Sequence, residues 1–224
     1  MIWLSDCFNT LYKILIPIAC LAGYLLTHSP VLRVGTTLLC LLLVLLLLIT
    51  KPRNATLGWI VAAFALSIAG DCVLNHWGGS FLGFVIGVAL FLMAHVGYIL
   101  YCLHHGAVRW WLFALLTLLF GSYYLLLLRP QIGDAITSLA VLAYILVSCL
   151  SLAAAAGLRG STLVRILFIA GIASLLFSDF LIAQKRFLGD GTLYALMMPT
   201  YFASQILVTA SLLAENAVHR HTGR

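Results

Sequence analysis

Leu38-Leu39-Cys40-Leu41-Leu42-Leu43-Val44-Leu45-Leu46-Leu47-Leu48-Ile49 is an unbroken apolar run. A helix on the surface of a soluble protein keeps a polar face, and a strand of a membrane barrel alternates polar with apolar residues. This run does neither, so it reads as a helix surrounded by lipid or protein on every side. The rest of the chain has the same character. Of its 224 residues, 64% are hydrophobic and only 8% are charged, against about 25% charged in an ordinary soluble domain. Mean hydropathy is +1.15. These values exclude a soluble globular protein and a disordered one. At roughly 20 residues per span little chain is left for a separate soluble unit, and residues 1–224 read as one all-α transmembrane domain.

Clusters of polar, basic, Gly and Pro residues divide the chain. They are Thr27-His28-Ser29-Pro30, Lys51-Pro52-Arg53-Asn54, Trp77-Gly78-Gly79-Ser80, His104-His105-Gly106, Arg129-Pro130, Gly157 to Ser161 and Leu188-Gly189-Asp190-Gly191. The divisions predict eight transmembrane helices, over about 11–27, 31–49, 55–77, 80–103, 107–128, 132–156, 162–187 and 193–214. Short connections predict that consecutive helices are antiparallel neighbours. Lys13 ahead of an apolar stretch has a faint signal-peptide look, but no small-x-small cleavage site follows, and the segment reads as the first span.

Formal net charge is +6. The basic residues sit singly at span ends, which points to membrane anchoring and not to nucleic acid. With both termini on one side, that side holds Lys13, Lys51, Arg53, Arg109, Arg159, Arg165, Arg220 and Arg224. The other side holds Arg33, Arg129, Lys185 and Arg186. The bias predicts cytoplasmic termini, and the compact loops fit a bacterial inner membrane. Cys7, Cys20, Cys40, Cys72, Cys102 and Cys149 form no CxxC pair. They read as small buried hydrophobes, with no disulfide framework and no metal site.

Only two acids lie well inside spans, Asp71 and Asp179. An ionised Asp at a helix centre costs about 2.5–3.5 kcal/mol on insertion scales, so two of them call for a use. Both helices run the same way, and each Asp is roughly 25 Å from the cytoplasmic edge at 1.5 Å per residue. They therefore share a depth in the outer half, as a facing carboxylate pair would. The alternative is two separate interhelical hydrogen bonds, each Asp answered by a Ser or Tyr. Ala69-Gly70-Asp71-Cys72-Val73-Leu74 and Phe177-Ser178-Asp179-Phe180-Leu181-Ile182 share a pattern of small-Asp-x-apolar-apolar. A four-plus-four pseudo-repeat would make the two helices equivalent, although the other helices align poorly at this offset.

Further polar residues gather near this depth. Ser67, Asp71 and Asn75 recur every fourth residue on one helix face. Tyr123 and Tyr124 reach a similar level on the fifth helix. Pro199, Tyr201 and Gln205 form a strip on the eighth, where a mid-span proline would free a carbonyl beside a cavity. His95 with Tyr98 lies mid-span on the fourth and reads either as a packing residue or as a site residue. Gly83 and Gly87 form a GxxxG that reads as tight helix packing. No zinc-ligand spacing, nucleophile elbow, P-loop or dinucleotide loop occurs.

Two carboxylates at one depth can divide acid and base work, because close like charges in a low-dielectric site raise one pKa. Such a pair suits reactions through an oxocarbenium-like cation, vinyl-ether hydrolysis among them, and also peptide hydrolysis by a shared-proton dyad.

Gly70-Asp71 followed by Leu74, then His95-x-x-Tyr98, then Ser178-Asp179, then Tyr201-x-x-x-Gln205 resembles the YhhN family of membrane lysoplasmalogenases. The resemblance runs over nearly the whole chain and rests on the order and placement of short motifs. It implies hydrolysis of the vinyl-ether bond of lysoplasmalogens to a fatty aldehyde and glycerophosphoethanolamine or glycerophosphocholine. By the match, Asp71 and Asp179 would be the catalytic pair, with Asn75, His95, Tyr98, Tyr201 and Gln205 lining or supporting the site. Tyr123, Tyr124 and Ser178 are further candidates to bind substrate. Lys185 and Arg186, just beyond Asp179, would pair with a lysophospholipid phosphate or simply snorkel to the membrane edge. The chain tunnel would be lined by helices three, four, seven and eight. The reading requires no cofactor and no metal, and its partners are membrane lipid and lysophospholipid. An intramembrane aspartyl protease fits less well, since Ile68 replaces the first Gly of Gly-x-Gly-Asp and Ser178 replaces the Tyr of Tyr-Asp. A proton-coupled transporter would use the same acids as a relay.

Overall fold

The computed structural model describes residues 2–27, 29–50 and 55–222, with side chains over 12–217 except at 28, 30, 33 and 51–54. Of the residues in the orientation argument, Lys51, Arg53 and Arg224 lie outside the described residues, and the side chains of Arg33 and Arg220 are likewise not described.

The described residues form eight helices: α1 (Ile2–Thr27), α2 (Pro30–Thr50), α3 (Leu57–Trp77), α4 (Phe81–His105), α5 (Trp110–Tyr123), α6 (Ala135–Ala155), α7 (Thr162–Ala183) and α8 (Met197–Thr222). Six stretches among them are long and apolar enough to cross a membrane: Leu57–Trp77, Phe81–His105, Trp110–Gln131, Ala135–Ala155, Thr162–Leu188 and Tyr194–Ala217. The apolar portions of the first two helices, Tyr12–Thr27 and Val34–Thr50, are shorter. The architecture is that of a multi-pass membrane protein.

Local chemistry sets several helix starts. Ser80 Oγ accepts from Gly83 N at 3.0 Å ahead of α4, and Asp134 Oδ1 accepts from Thr137 N at 2.7 Å ahead of α6. Each answers a backbone N–H that the first helical turn leaves open. Two helices end differently from what their sequences predict. A π-helical turn, Tyr124–Leu128, extends α5, and another, Gln184–Leu188, extends α7. Gly189 stops the second one at φ 71°, in the left-handed region where a side chain is disfavoured.

The strongest pairings are α3 with α4 and α7 with α8, so each aspartate-bearing helix has its successor as main partner. Small residues permit both approaches. A Cβ at Gly83 would collide with the Trp77 carbonyl, and one at Gly97 would come within 2.8 Å of the Trp59 carbonyl oxygen. At Gly171 it would come within 2.8 Å of Val208. Helices α2, α3, α4, α6, α7 and α8 close a ring, with α1 outside α2 and α8, and α5 outside α6.

Consecutive helices are thus not always packing neighbours. Helix α5 rests on α6, and α4 is flanked by α3 and α6. The cause is the α4–α5 link, which is tied to the α6–α7 turn. Ala107 N donates to the Gly157 carbonyl at 3.3 Å, Arg109 N to that of Ala153 at 3.1 Å, and Arg159 N to that of His105 at 3.0 Å. Proline usage also departs from expectation. Pro199 sits in the first turn of α8, where a missing N–H costs little, and makes no mid-span break. Pro17 lies inside α1.

Candidate functional site

Asp71 and Asp179 line the same cavity, a chamber of about 620 Å³ that is polar over roughly half of its lining. Each stands near the C-terminal end of its helix, and both ends are on one side of the bundle. From α3 the chamber takes Asp71, Leu74 and Asn75, an i, i+3, i+4 face. From α7 and the π turn it takes Ser178, Asp179, Ile182, Lys185 and Arg186. Widening the helix to a π turn brings the adjacent residues Lys185 and Arg186 to one space. Tyr201 enters from α8 and Tyr24 from α1.

A second cavity of about 80 Å³ is almost wholly apolar. Its walls include Val88, Phe120, Tyr123, Val141, Tyr144 and Phe180. The two spaces share Leu74, Phe84, Phe91, Asp179 and Ile182. Asp179 therefore borders both, whereas Asp71 borders only the polar one. Phe84 stands between them, with the Arg186 guanidinium carbon 4.8 Å from its ring centre and the Phe187 ring edge-on at 5.8 Å. The apolar walls come from α3 to α7, so α5 and α6 line this space and α8 does not, contrary to the expected tunnel of helices three, four, seven and eight.

Behind Asp179 is a fully buried histidine. His95 Nε2 lies 3.3 Å from Asp179 Oδ2. The His95 ring meets Tyr144 edge-on at 5.5 Å and Tyr98 at 6.2 Å between centres, and its Nδ1 has no hydrogen-bond partner. Tyr98 faces Gln205 and Ser67, yet no contact of hydrogen-bond geometry closes among these groups. Buried polar groups that stop short of one another are normally bridged by water.

His95, Tyr98 and Gln205 thus lie behind the chamber wall and line neither cavity. Ser178 borders the chamber, but its hydroxyl donates to the Met197 carbonyl at 3.0 Å and so pins the start of α8 to α7. Tyr123 borders the apolar space, its ring 5.2 Å from that of Phe180. Tyr124 lines neither cavity, and its hydroxyl is held against Ser138, 2.6 Å from Oγ and 3.0 Å from the carbonyl. One residue of separation turns the two tyrosines apart, one to the cavity and one to the α5–α6 seam. Tyr144, Phe84 and Tyr24 were not singled out from the sequence. Tyr144 stands as a lone tyrosine in an apolar span, without the neighbouring histidine that draws attention to Tyr98.

Outside the spans, Asp190 sits in the turn beyond Lys185. Side-chain and backbone hydrogen bonds from Thr192 hold its carboxyl below the usual range, with a smaller pull from Lys185. Among the described residues no three His, Cys, Asp or Glu side chains gather to hold a metal. The arrangement offers a carboxylate pair, a cationic rim and an apolar slot meeting at one of the two acids.

A search of curated proteins returns no match, nor does one of solved structures. A family model described as YhhN matches residues 30–212. That range contains α2 to α7 and both aspartates, and the chain belongs to the YhhN family.

Proposed function

We propose that this protein is a lysoplasmalogenase, an eight-span enzyme with both termini cytoplasmic, in a bacterial inner membrane. It hydrolyses the vinyl-ether bond of a lysoplasmalogen to a fatty aldehyde and glycerophosphoethanolamine or glycerophosphocholine. The observation that supports this most is the junction of a polar and an apolar cavity at Asp179, with Asp71 lining the polar one. A lysoplasmalogen has that same division: a zwitterionic or anionic head, an alkenyl chain, and the labile bond between them. In this reading the head occupies the polar chamber, its phosphate toward Lys185 and Arg186. The first chain carbons enter the apolar space, which is too small for a whole chain, and the rest lies in surrounding lipid. Proton transfer by two carboxylates is sufficient for the chemistry without a cofactor.

The test is aldehyde release by purified protein from a 1-alkenyl lysophospholipid, with the 1-alkyl ether as control and no ion gradient. Release from the alkenyl lipid alone supports the reading. No release, or activity that needs a gradient, rejects it.

A further inference from the structure

We infer that the two aspartates are not interchangeable: Asp179, backed by His95, is the acid that protonates the alkenyl carbon, and Asp71 is the base that takes a proton from water. This rests on the reading above. The two vinyl carbons make different demands. The carbon nearer the chain gains a proton, and the carbon bound to oxygen gains water. With the chain in the apolar space and the head in the polar chamber, the proton-accepting carbon lies toward the apolar side. Asp179 is the acid bordering that side, and Asp71 borders only the space where the head and water are held.

The steps balance. The Asp179 O–H bond breaks as the alkene electron pair forms the new C–H bond, leaving an oxocarbenium ion. Water adds to the oxygen-bearing carbon and passes a proton to Asp71. The hemiacetal collapses when its hydroxyl proton returns to Asp179, the C–O bond to glycerol breaks, and Asp71 protonates the leaving oxygen. Asp179 ends protonated and Asp71 ionised, as they began. His95 is a positioning residue here. With its proton on Nε2, His95 donates to Asp179 Oδ2 across 3.3 Å both when the acid proton is on the other carboxyl oxygen and when the carboxylate is ionised, which keeps one oxygen fixed through both states.

The charged and titratable groups around Asp179 are His95 and Tyr98 from α4, Tyr144 from α6, Asp71 from α3, Tyr201 from α8, and Lys185 and Arg186 from the π turn. Replacing one aspartate also removes its charge from beside the other, so the surviving limb shifts, and the assignment rests on which limb is lost. The experiment is the pH profile of kcat/KM for alkenyl lysolipid turnover by purified full-length wild type, Asp71→Asn and Asp179→Asn. Each Asn variant loses about 10²- to 10⁴-fold in rate. The expected result is that Asp179→Asn flattens the alkaline limb and Asp71→Asn the acidic limb. The Glu variants report the same assignment at higher rates, Asp179→Glu moving the alkaline limb and Asp71→Glu the acidic one. Matched melting curves identify variants that fail to fold. A reversed pattern, or limbs that neither substitution moves, overturns the assignment. Absence of wild-type turnover would instead reject the lysoplasmalogenase reading itself.

Discussion

His95 and Asp179 are 84 residues apart in sequence, on α4 and α7, and their side chains meet at 3.3 Å in the bundle interior. The histidine is fully buried, while its partner keeps 11% side-chain exposure toward the cavities. One end of the contact is sealed and the other faces the site. Replacing His95 by Leu is expected to lower kcat by about tenfold to a hundredfold, the cost of leaving a buried polar partner unsatisfied. KM should barely move, because His95 lines neither cavity. His95→Gln, which keeps both a donor and an acceptor, should recover part of the loss. Equal rises in KM in both variants would point to a collapsed site.

Asp71→Asn and Asp179→Asn should each cut aldehyde release by about 10²- to 10⁴-fold, because an amide neither gives nor takes a carboxyl proton. Helical content and melting temperature should remain near wild type. Turnover within a few-fold of wild type in either variant would falsify the two-carboxylate chemistry.

Lys185 and Arg186 are exposed at the rim of the polar chamber. Each should contribute about 0.2–1 kcal/mol to phosphate binding, the range of exposed ion pairs. Single Gln substitutions should raise KM by up to about fivefold, with kcat held, since a contact remote from the breaking bond acts on substrate and transition state alike. Unchanged KM in the double variant would remove both residues from substrate binding.

Gly83 faces the backbone of Trp77, which cannot move aside, whereas nothing lies within 4 Å of a Cβ placed on Gly121. Gly83→Ala should destabilise by about 1–3 kcal/mol through overpacking. Gly121→Ala should be neutral or slightly stabilising, since Ala favours helix over Gly. Detergent-phase melting of the two variants measures the contrast, and equal melting temperatures would contradict the tight α3–α4 approach.

Asp134 caps α6, and hydrogen bonding from the Thr137 backbone holds its carboxyl below the usual range. A depressed folded-state pKa means that the cap stabilises fully above the unfolded carboxylate pKa. That contribution is lost as pH falls through the lower, folded value. Melting temperature against pH should therefore show a smaller acid-side fall for Asp134→Asn, which can cap without titrating. An identical fall in wild type and variant would assign the acid sensitivity elsewhere.

Much of this molecule was open to reading along one dimension. The Leu38–Ile49 run and the scarcity of charge require helices in an apolar medium. The turn clusters divide the chain close to where the helices end, and two acids inside spans stand out by their insertion cost alone. Those are properties of a residue and its near neighbours. Whether Tyr123 or Tyr124 faces the cavity, and which residue backs Asp179, depend on how each helix is rotated against its partners. Pro199 serves as a first-turn residue because α8 starts at Met197. The α5–α6 contact follows from backbone bonds between two loops some fifty residues apart. An almost uniformly apolar helix has no strong polar face to announce its rotation. Close packing at Gly83, Gly97 and Gly171, together with a few buried hydrogen bonds, sets the rotation only once the helices meet.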